Sequence, residues 1–249
     1  MRTKSTPKRL DALVVERGLA ESLPKAQAMI LAGEVSVDGT RADKAGSRFP
    51  DESRIEVTSR AGKYVSRGGV KLEGALQDFA IDPANRICLD IGSSTGGFTD
   101  CLLQHGAARV YAVDVNVDQL AWKLRQDPRI IRISRNAREL RPTDISERID
   151  LVVIDVSFIS VRKILPSATA AAKPGADLLI LIKPQFELAR QDVGAGGIVS
   201  DTALHQKAID AVREAAAKFP LEILNARPSH LLGAEGNQEY FLHARKPLR

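Results

Sequence analysis

The apolar positions change period along the chain. From Lys8 to Gly18 the run "KRLDALVVERG" sets Leu10, Leu13 and Val14 on one helical face and stops at a glycine. A second helix is predicted after Ser22, whose hydroxyl can accept from a free N–H of the first turn. Its apolar stripe is Ala26, Met29 and Ile30 and its stop is Gly33. "EVSVDGT" then reads as a short strand with an Asp-Gly turn, and "RIEV" as another. The amino-terminal segment, residues 1–58, is expected to be a small α+β domain. Residues 59–70 read as a linker rich in glycine, serine and basic side chains.

From residue 71 onwards, strand-like and helix-like segments alternate, the mark of a mostly parallel α/β sheet. Strands are predicted at "RICLDIG", "RVYAVDV", "RIIRIS", "IDLVVID" and "ADLLILIKP". A late pair, near "LEILNARPS" and "QEYFLHARK", has no helical pattern between its members and is expected to pair antiparallel.

Charge sharpens this division. The chain of 249 residues carries a formal net charge of +5. Residues 1–72 hold 14 lysines and arginines against 9 acids, and residues 73–249 hold 22 of each. The positive excess therefore lies in the first segment, as a nucleic-acid-binding module would have it, although a solvated basic face gives the same count. Aromatic residues make up only 4%, too few for a broad base-stacking surface. The two cysteines, Cys88 and Cys101, have no metal-type spacing, which points to a reducing compartment. The basic amino terminus lacks an apolar stretch behind it, and the most apolar run, "LLILI", is far shorter than the roughly 20 residues of a span. A cytoplasmic protein without stable membrane association is expected.

"LDIGSSTGGFTD", residues 89–100, is an apolar strand ending in a glycine-rich turn that opens a helix. Such a turn lets a ligand approach the backbone closely. Gly92, Ser93, Ser94 and Thr95 precede Gly96, so the nicotinamide spacing Gly-x-Gly-x-x-Gly is absent. Asp90 sits just before the turn, and Asp114 ends the next strand, placed for a ribose diol.

Polar residues emerge from two very apolar strands, Asp155 in "LVVIDVSF" and Lys183 in "LLILIKPQFE". A lysine after five apolar residues needs a carboxylate partner if it is buried. Asp155 and Glu239 are the candidates, and Lys71, opening the first helix after the linker, is a fourth member. Each alone has an ordinary reading as a solvated lysine, a strand ion pair or a helix cap. The order Lys, Asp, Lys, Glu on four separate elements is more specific.

The glycine turn is similar to the first motif of S-adenosylmethionine-dependent methyltransferases, which implies cofactor contacts from Asp90, Gly92, Ser93, Ser94, Gly96 and Asp114, with Asn136 at the adenine end. The amino-terminal pattern resembles the small RNA-binding domain of a small-subunit ribosomal protein and of many pseudouridine synthases. It departs from that pattern before the second helix, where "SLPKAQ" replaces the usual Ser-Arg. The tetrad order resembles the FtsJ-type ribose methyltransferases. With "YVSRGGVKLEGAL" and "LIKPQFE", the whole chain resembles the TlyA family, whose sequences often carry the label haemolysin.

That resemblance implies a Rossmann-like methyltransferase domain over residues 71–249 and methyl transfer to a ribose 2′-hydroxyl of cytidine in ribosomal RNA or ribosomal subunits. Lys183 would be the base and Asp155 its orienter, with Lys71 and Glu239 positioning the ribose. Arg9, Lys25 and Arg67 would contact RNA, and the basic hinge would couple the two domains. No metal is required. Amino-group methylation would want Asn/Asp-Pro-Pro-aromatic where "DVSF" stands, and ring methylation would want a nucleophilic cysteine. Arg125, Arg129, Arg132 and the arginines of "SRNARELR" form a candidate phosphate patch, and "QDVGAGGIVSD" reads as a mobile lid, with Ala195 where family members commonly have lysine. The competing readings are a membrane-active haemolysin-like protein and a non-catalytic RNA-binding scaffold.

Overall fold

The computed structural model describes residues 7–20, 22–31, 35–57, 63–233 and 236–248. The expected stop at Gly33 and linker residues 59–62 lie outside them. The chain divides into two units, residues 1–62 and 63–249.

In the first unit, β1 (Lys8–Arg9), α1 (Leu10–Glu16), α2 (Leu23–Leu31), β2 (Val35–Val37), β3 (Thr40–Ala42), β4 (Arg48–Phe49) and β5 (Ile55–Val57) follow in order. Leu10, Leu13, Val14, Ala26 and Ile30 close over Val35, Val37 and Ile55, as the periodicity requires. The three longer strands form an antiparallel sheet in the order β3-β2-β5. Asp38 and Gly39 both have positive φ, the left-handed pair that a two-residue hairpin demands. Ser22 Oγ accepts from Lys25 N–H at 3.4 Å, a long but correctly placed cap. The β1–β4 pair escapes sequence reading, because two-residue strands have no alternation to detect.

The second unit contains α3 (Arg67–Asp78), β6 (Ile87–Ile91), α4 (Gly97–Gln104), β7 (Arg109–Asp114), α5 (Trp122–Arg125), β8 (Ile130–Ser134), β9 (Ile149–Ile154), α6 (Leu165–Ala171), β10 (Ala172–Ile182), α7 (Pro184–Glu187), α8 (Thr202–Ala216), β11 (Glu222–Pro228) and β12 (Tyr240–Arg245). They build one seven-stranded sheet in the order β11-β12-β10-β9-β6-β7-β8. The five strands from β8 to β10 run parallel, and β12 enters antiparallel between β10 and β11. Helices cover both faces, so the parallel strands are apolar on each side. Leu89, Ile91, Val152 and Ile154 pack on the face of α6 and α8, while Cys88, Leu151, Val153 and Leu179 pack on the face of α3 and α4. Both cysteines are free and buried.

The expected linker of 59–70 is too long. Residues 63–70 belong to the second unit, and α3 starts at Arg67 rather than at Lys71. Tyr64 is buried, and Val65 N–H donates to Asp100 Oδ2 at 2.8 Å. A Cβ on Gly69 would run into Tyr64, and one on Gly97 into Ser66. The adjacent glycines, which look like a hinge in sequence, lie within α3, where Gly69 makes room for Tyr64 and Gly97 of α4 lets the two first turns approach.

The strand order reverses beside β6, where β7 lies on one side and β9 on the other. In open α/β sheets the crevice at such a point receives the ligand.

Candidate functional site

The turn after β6 occupies that crevice. Gly92 and Gly96 have φ of +87° and +96°. A Cβ on Gly92 would stand 2.9 Å from the Asp155 carbonyl carbon, so glycine allows the ends of β6 and β9 to touch. Ser94 N–H donates to Asp114 Oδ2 at 2.9 Å, fixing the turn to the end of β7. Beyond it opens a cavity of about 390 Å³, whose wall includes Gly92, Ser94, Asp114, Val115, Asn136 and Ile159. A smaller cavity of about 140 Å³ is lined by Ser66, Lys71, Ser93, Thr95 and Phe98, and shares Gly92, Ser94 and Asp155 with the larger.

Two residues expected at a cofactor line neither cavity. Asp90 is fully buried, and its Oδ2 accepts from Thr99 Oγ1 at 2.6 Å, so it braces the first turn of α4 from below. Burial pushes its carboxyl up to about 7. The Thr99 hydroxyl opposes that rise, and the charges of Asp155 and Asp114 add to it. At Gly96 the space is taken by protein, since a Cβ would meet Leu120 at 2.9 Å and crowd Leu124.

The four polar residues converge. Lys71, 8% exposed on α3, reaches Glu239 Oε2 at 2.5 Å. Lys183 Nζ pairs with Asp155 Oδ1 at 2.5 Å and donates to Ser157 Oγ at 2.8 Å. Ile182 faces Tyr240 in the β10–β12 register, so one further step sets Lys183 beside Glu239. Lys71 and Asp155 line the smaller cavity together. Asp155 lines both cavities and carries Lys183 behind it, while Lys71 lines the smaller one and carries Glu239; Lys183 and Glu239 themselves line neither.

Sequence reading missed three neighbours. Ser157 was visible in "DVSF" only as part of a motif that excluded another chemistry. Phe158, with φ of +64° and 92% exposure, lines the larger cavity and lies against the Phe186 ring at 5.4 Å. Glu187, buried at the end of α7, accepts from Ser160 Oγ at 2.6 Å, Val161 N–H at 2.7 Å and Arg162 Nε at 3.1 Å. Burial raises its carboxyl pKa, against those donors. The stretch "LIKPQFE" carries both Lys183 and this second anchor.

The basic candidates are distributed unevenly. Arg9 is held by Asp11 at 2.7 Å, whereas Lys25 is exposed with no side-chain partner among the described residues. Arg67 donates to the Leu232 carbonyl at 2.9 Å. The arginine patch is partly neutralised, with Arg129 on Asp127, Arg132 near Asp118 and Arg135 on Asp144. The expected mobile lid is anchored. Val199 N–H donates to Asn237 Oδ1 and Asn237 Nδ2 to the Gly197 carbonyl, both at 2.8 Å, while the His205 ring bonds the Val199 carbonyl at 2.7 Å.

Among the described residues, no group of three or more metal-binding side chains occurs, and no helix is long and apolar enough to cross a membrane.

Comparison with known proteins places this geometry. The FtsJ-like methyltransferase family matches residues 64–246 and the S4 domain matches residues 8–55. The "16S/23S rRNA (cytidine-2'-O)-methyltransferase TlyA" of Mycobacterium tuberculosis is 46% identical over 95% of this chain and 89% of its own. "Hemolysin A" of Brachyspira hyodysenteriae is 44% identical over 94% of this chain and 98% of its own. The solved "Putative hemolysin from Streptococcus thermophilus" superposes with a TM-score of 0.76 at 39% identity, covering 97% of this chain and 89% of that one. A more distant S-adenosylmethionine dependent methyltransferase from Mesorhizobium loti, 14% identical with a TM-score of 0.52 over 70% of this chain and 97% of its own, shares the fold. The matched ranges span both units, and the chain belongs to the TlyA family of FtsJ-like methyltransferases with an amino-terminal S4 domain.

Proposed function

We propose that this protein transfers a methyl group from S-adenosylmethionine to the 2′-hydroxyl of a cytidine in ribosomal RNA, in the cytoplasm. The observation that carries the reading is the pair of lysine–carboxylate contacts, Lys71–Glu239 and Lys183–Asp155, in which Asp155 lines both cavities and Lys71 the smaller one.

The larger cavity fits a nucleoside-sized donor. Val115 and Ile159 give it apolar walls, Asp114 offers a carboxylate for a ribose diol, and Asn136 lies on the same wall. The Gly92 turn leaves backbone accessible between the two cavities. The sulfonium, when bound, supplies an already activated methyl group. The chain's own residues must then hold the hydroxyl in line and take its proton. As the oxygen–methyl bond forms and the sulfur–methyl bond breaks with its electrons left on sulfur, the hydroxyl proton passes to Lys183 Nζ. Asp155 orients that nitrogen, and Lys71 with Glu239 positions the ribose. Lys25 and the basic amino-terminal unit supply phosphate contacts.

The test is transfer of radiolabelled methyl to purified, unmodified ribosomal subunits, beside the Lys183→Ala variant. Label on RNA with the wild type alone, located on ribose, is expected. No label on either subunit despite donor binding would sink the reading. Leakage from liposomes treated with the pure protein would favour the haemolysin reading instead.

A further inference from the structure

Lys183 has two partners among the described residues, and only Asp155 belongs to the tetrad. The other, Ser157 Oγ, accepts from Lys183 Nζ at 2.8 Å. We propose that Ser157 is a positioning residue that aims the Lys183 lone pair at the substrate hydroxyl. The inference rests on the methyltransferase reading above and adds a member to its machinery.

A lysine acting as a base presents a neutral amine, with two N–H bonds and one lone pair. Asp155 Oδ1 lies 2.5 Å from Nζ as an ion-pair contact without hydrogen-bond geometry, so alone it leaves the nitrogen free to turn and the lone pair to sample more than one staggered position. The hydrogen bond that Lys183 Nζ makes among the described residues goes to Ser157 Oγ, which fixes one N–H while Asp155 holds the charge beside it. The carboxylate sets the charge; the serine hydroxyl sets the direction.

The chain around Ser157 is built to hold that hydroxyl in place. Phe158 turns the backbone immediately after it with φ of +64°, a conformation rarely adopted by a bulky side chain. Two residues further, Ser160 and Val161 are gripped by Glu187, at 2.6 and 2.7 Å. Glu187 ends the short helix α7 that starts immediately after Lys183. The segment 183–187 therefore clasps the loop 155–162 at both ends, by Lys183 on Asp155 and Ser157 and by Glu187 on Ser160 to Arg162. Ser157 is exposed at the rim and lines the larger cavity, so its hydroxyl is not explained by core packing.

The experiment compares Ser157→Ala and Ser157→Thr with the wild type, measuring kcat and KM for both substrates and S-adenosylhomocysteine affinity by calorimetry. The alanine variant should lose about tenfold in kcat with KM for the donor little changed, and threonine, which keeps the hydroxyl, should restore most of it. Full kcat in the alanine variant would overturn the proposal. So would a parallel loss of donor affinity, which would make Ser157 only a cavity wall, or a threonine variant as slow as alanine. Nitrogen-15 NMR of the Lys183 side chain, assigned by its loss in Lys183→Arg, separates this proposal from the reaction itself. An ordered Nζ in the wild type that becomes averaged in Ser157→Ala is expected whatever the substrate, and equal order in both would reject the role of Ser157. Absence of methyl transfer by the wild type would reject the methyltransferase reading.

Discussion

Lys71 and Glu239 are 168 positions apart in the chain and meet as a buried ion pair 2.5 Å long. Lys71 comes from the second turn of a helix packed on the sheet, and Glu239 from the residue before an antiparallel strand within it. Two charges taken out of water are stable only while both are present.

Removing one partner should therefore cost more than the pair contributes. Glu239→Ala is expected to lower unfolding stability by about 3 kcal/mol, because it strands the Lys71 charge. The double variant Lys71→Met/Glu239→Leu should recover most of that loss. Urea denaturation reads the stability and methyl transfer reads the function. A double variant that is stable and inactive is the expected result; one that is stable and fully active would mean that the pair is merely structural.

Gly92→Ala should abolish donor binding. The added methyl must displace the Asp155 backbone, and the left-handed backbone conformation adds a cost of about 1 kcal/mol. Gly196→Ala is the matched control, with φ of +70° and nothing within 4 Å of its Cβ position. Calorimetry with S-adenosylhomocysteine should show lost binding in the first variant and near-normal binding in the second. Equal affinities would refute the close-approach argument.

Asp90 and Asp177 should give opposite pH signatures. Asp90 is raised by burial to about 7, so between about 4 and 7 the folded chain holds a proton that the unfolded chain has released. Stability falls as pH rises through that window, by an amount on the order of a few kcal/mol. Asp90→Asn should remove the fall, which urea midpoints at pH 5 and pH 8 would show.

Burial acts to raise Asp177 as well. Hydrogen bonds from His243, Arg86 and Arg245 overcome it and hold the carboxyl well below the usual range. Its contribution is present above the unfolded carboxylate pKa of about 3.9 and is lost as pH falls through the lower folded value. Asp177→Asn should therefore destabilise at pH 7 while leaving donor affinity intact, since neither cavity includes Asp177. Loss of donor binding in that variant would contradict its assignment to the core.

The strands, the glycine turn and the identity of the four paired residues were legible because each leaves a local trace. A parallel strand buried on both faces must be apolar throughout, as "LVVI" and "LLILI" are, and a polar residue just past its end stands out. Gly92 announces a turn because its backbone conformation excludes most side chains. The order of these features along the chain was enough to identify the family.

Tertiary structure decided what no local trace carries. Glycines 68 and 69 weaken a helix by propensity, yet α3 runs through them, because a Cβ at Gly69 would overlap Tyr64 and Gly97 of α4 packs on the backbone of both. Asp90 has the composition of a ligand contact, but the packing of Thr99 over it closes it from both cavities. Arg9 is taken up by Asp11, and Ser157 gains meaning only because Lys183 arrives beside it from another strand. Sequence determines which residues carry charge and which segments must be buried; the packed fold alone determines which charge faces which, because electrostatic pairing depends on distance in space and the chain records only order.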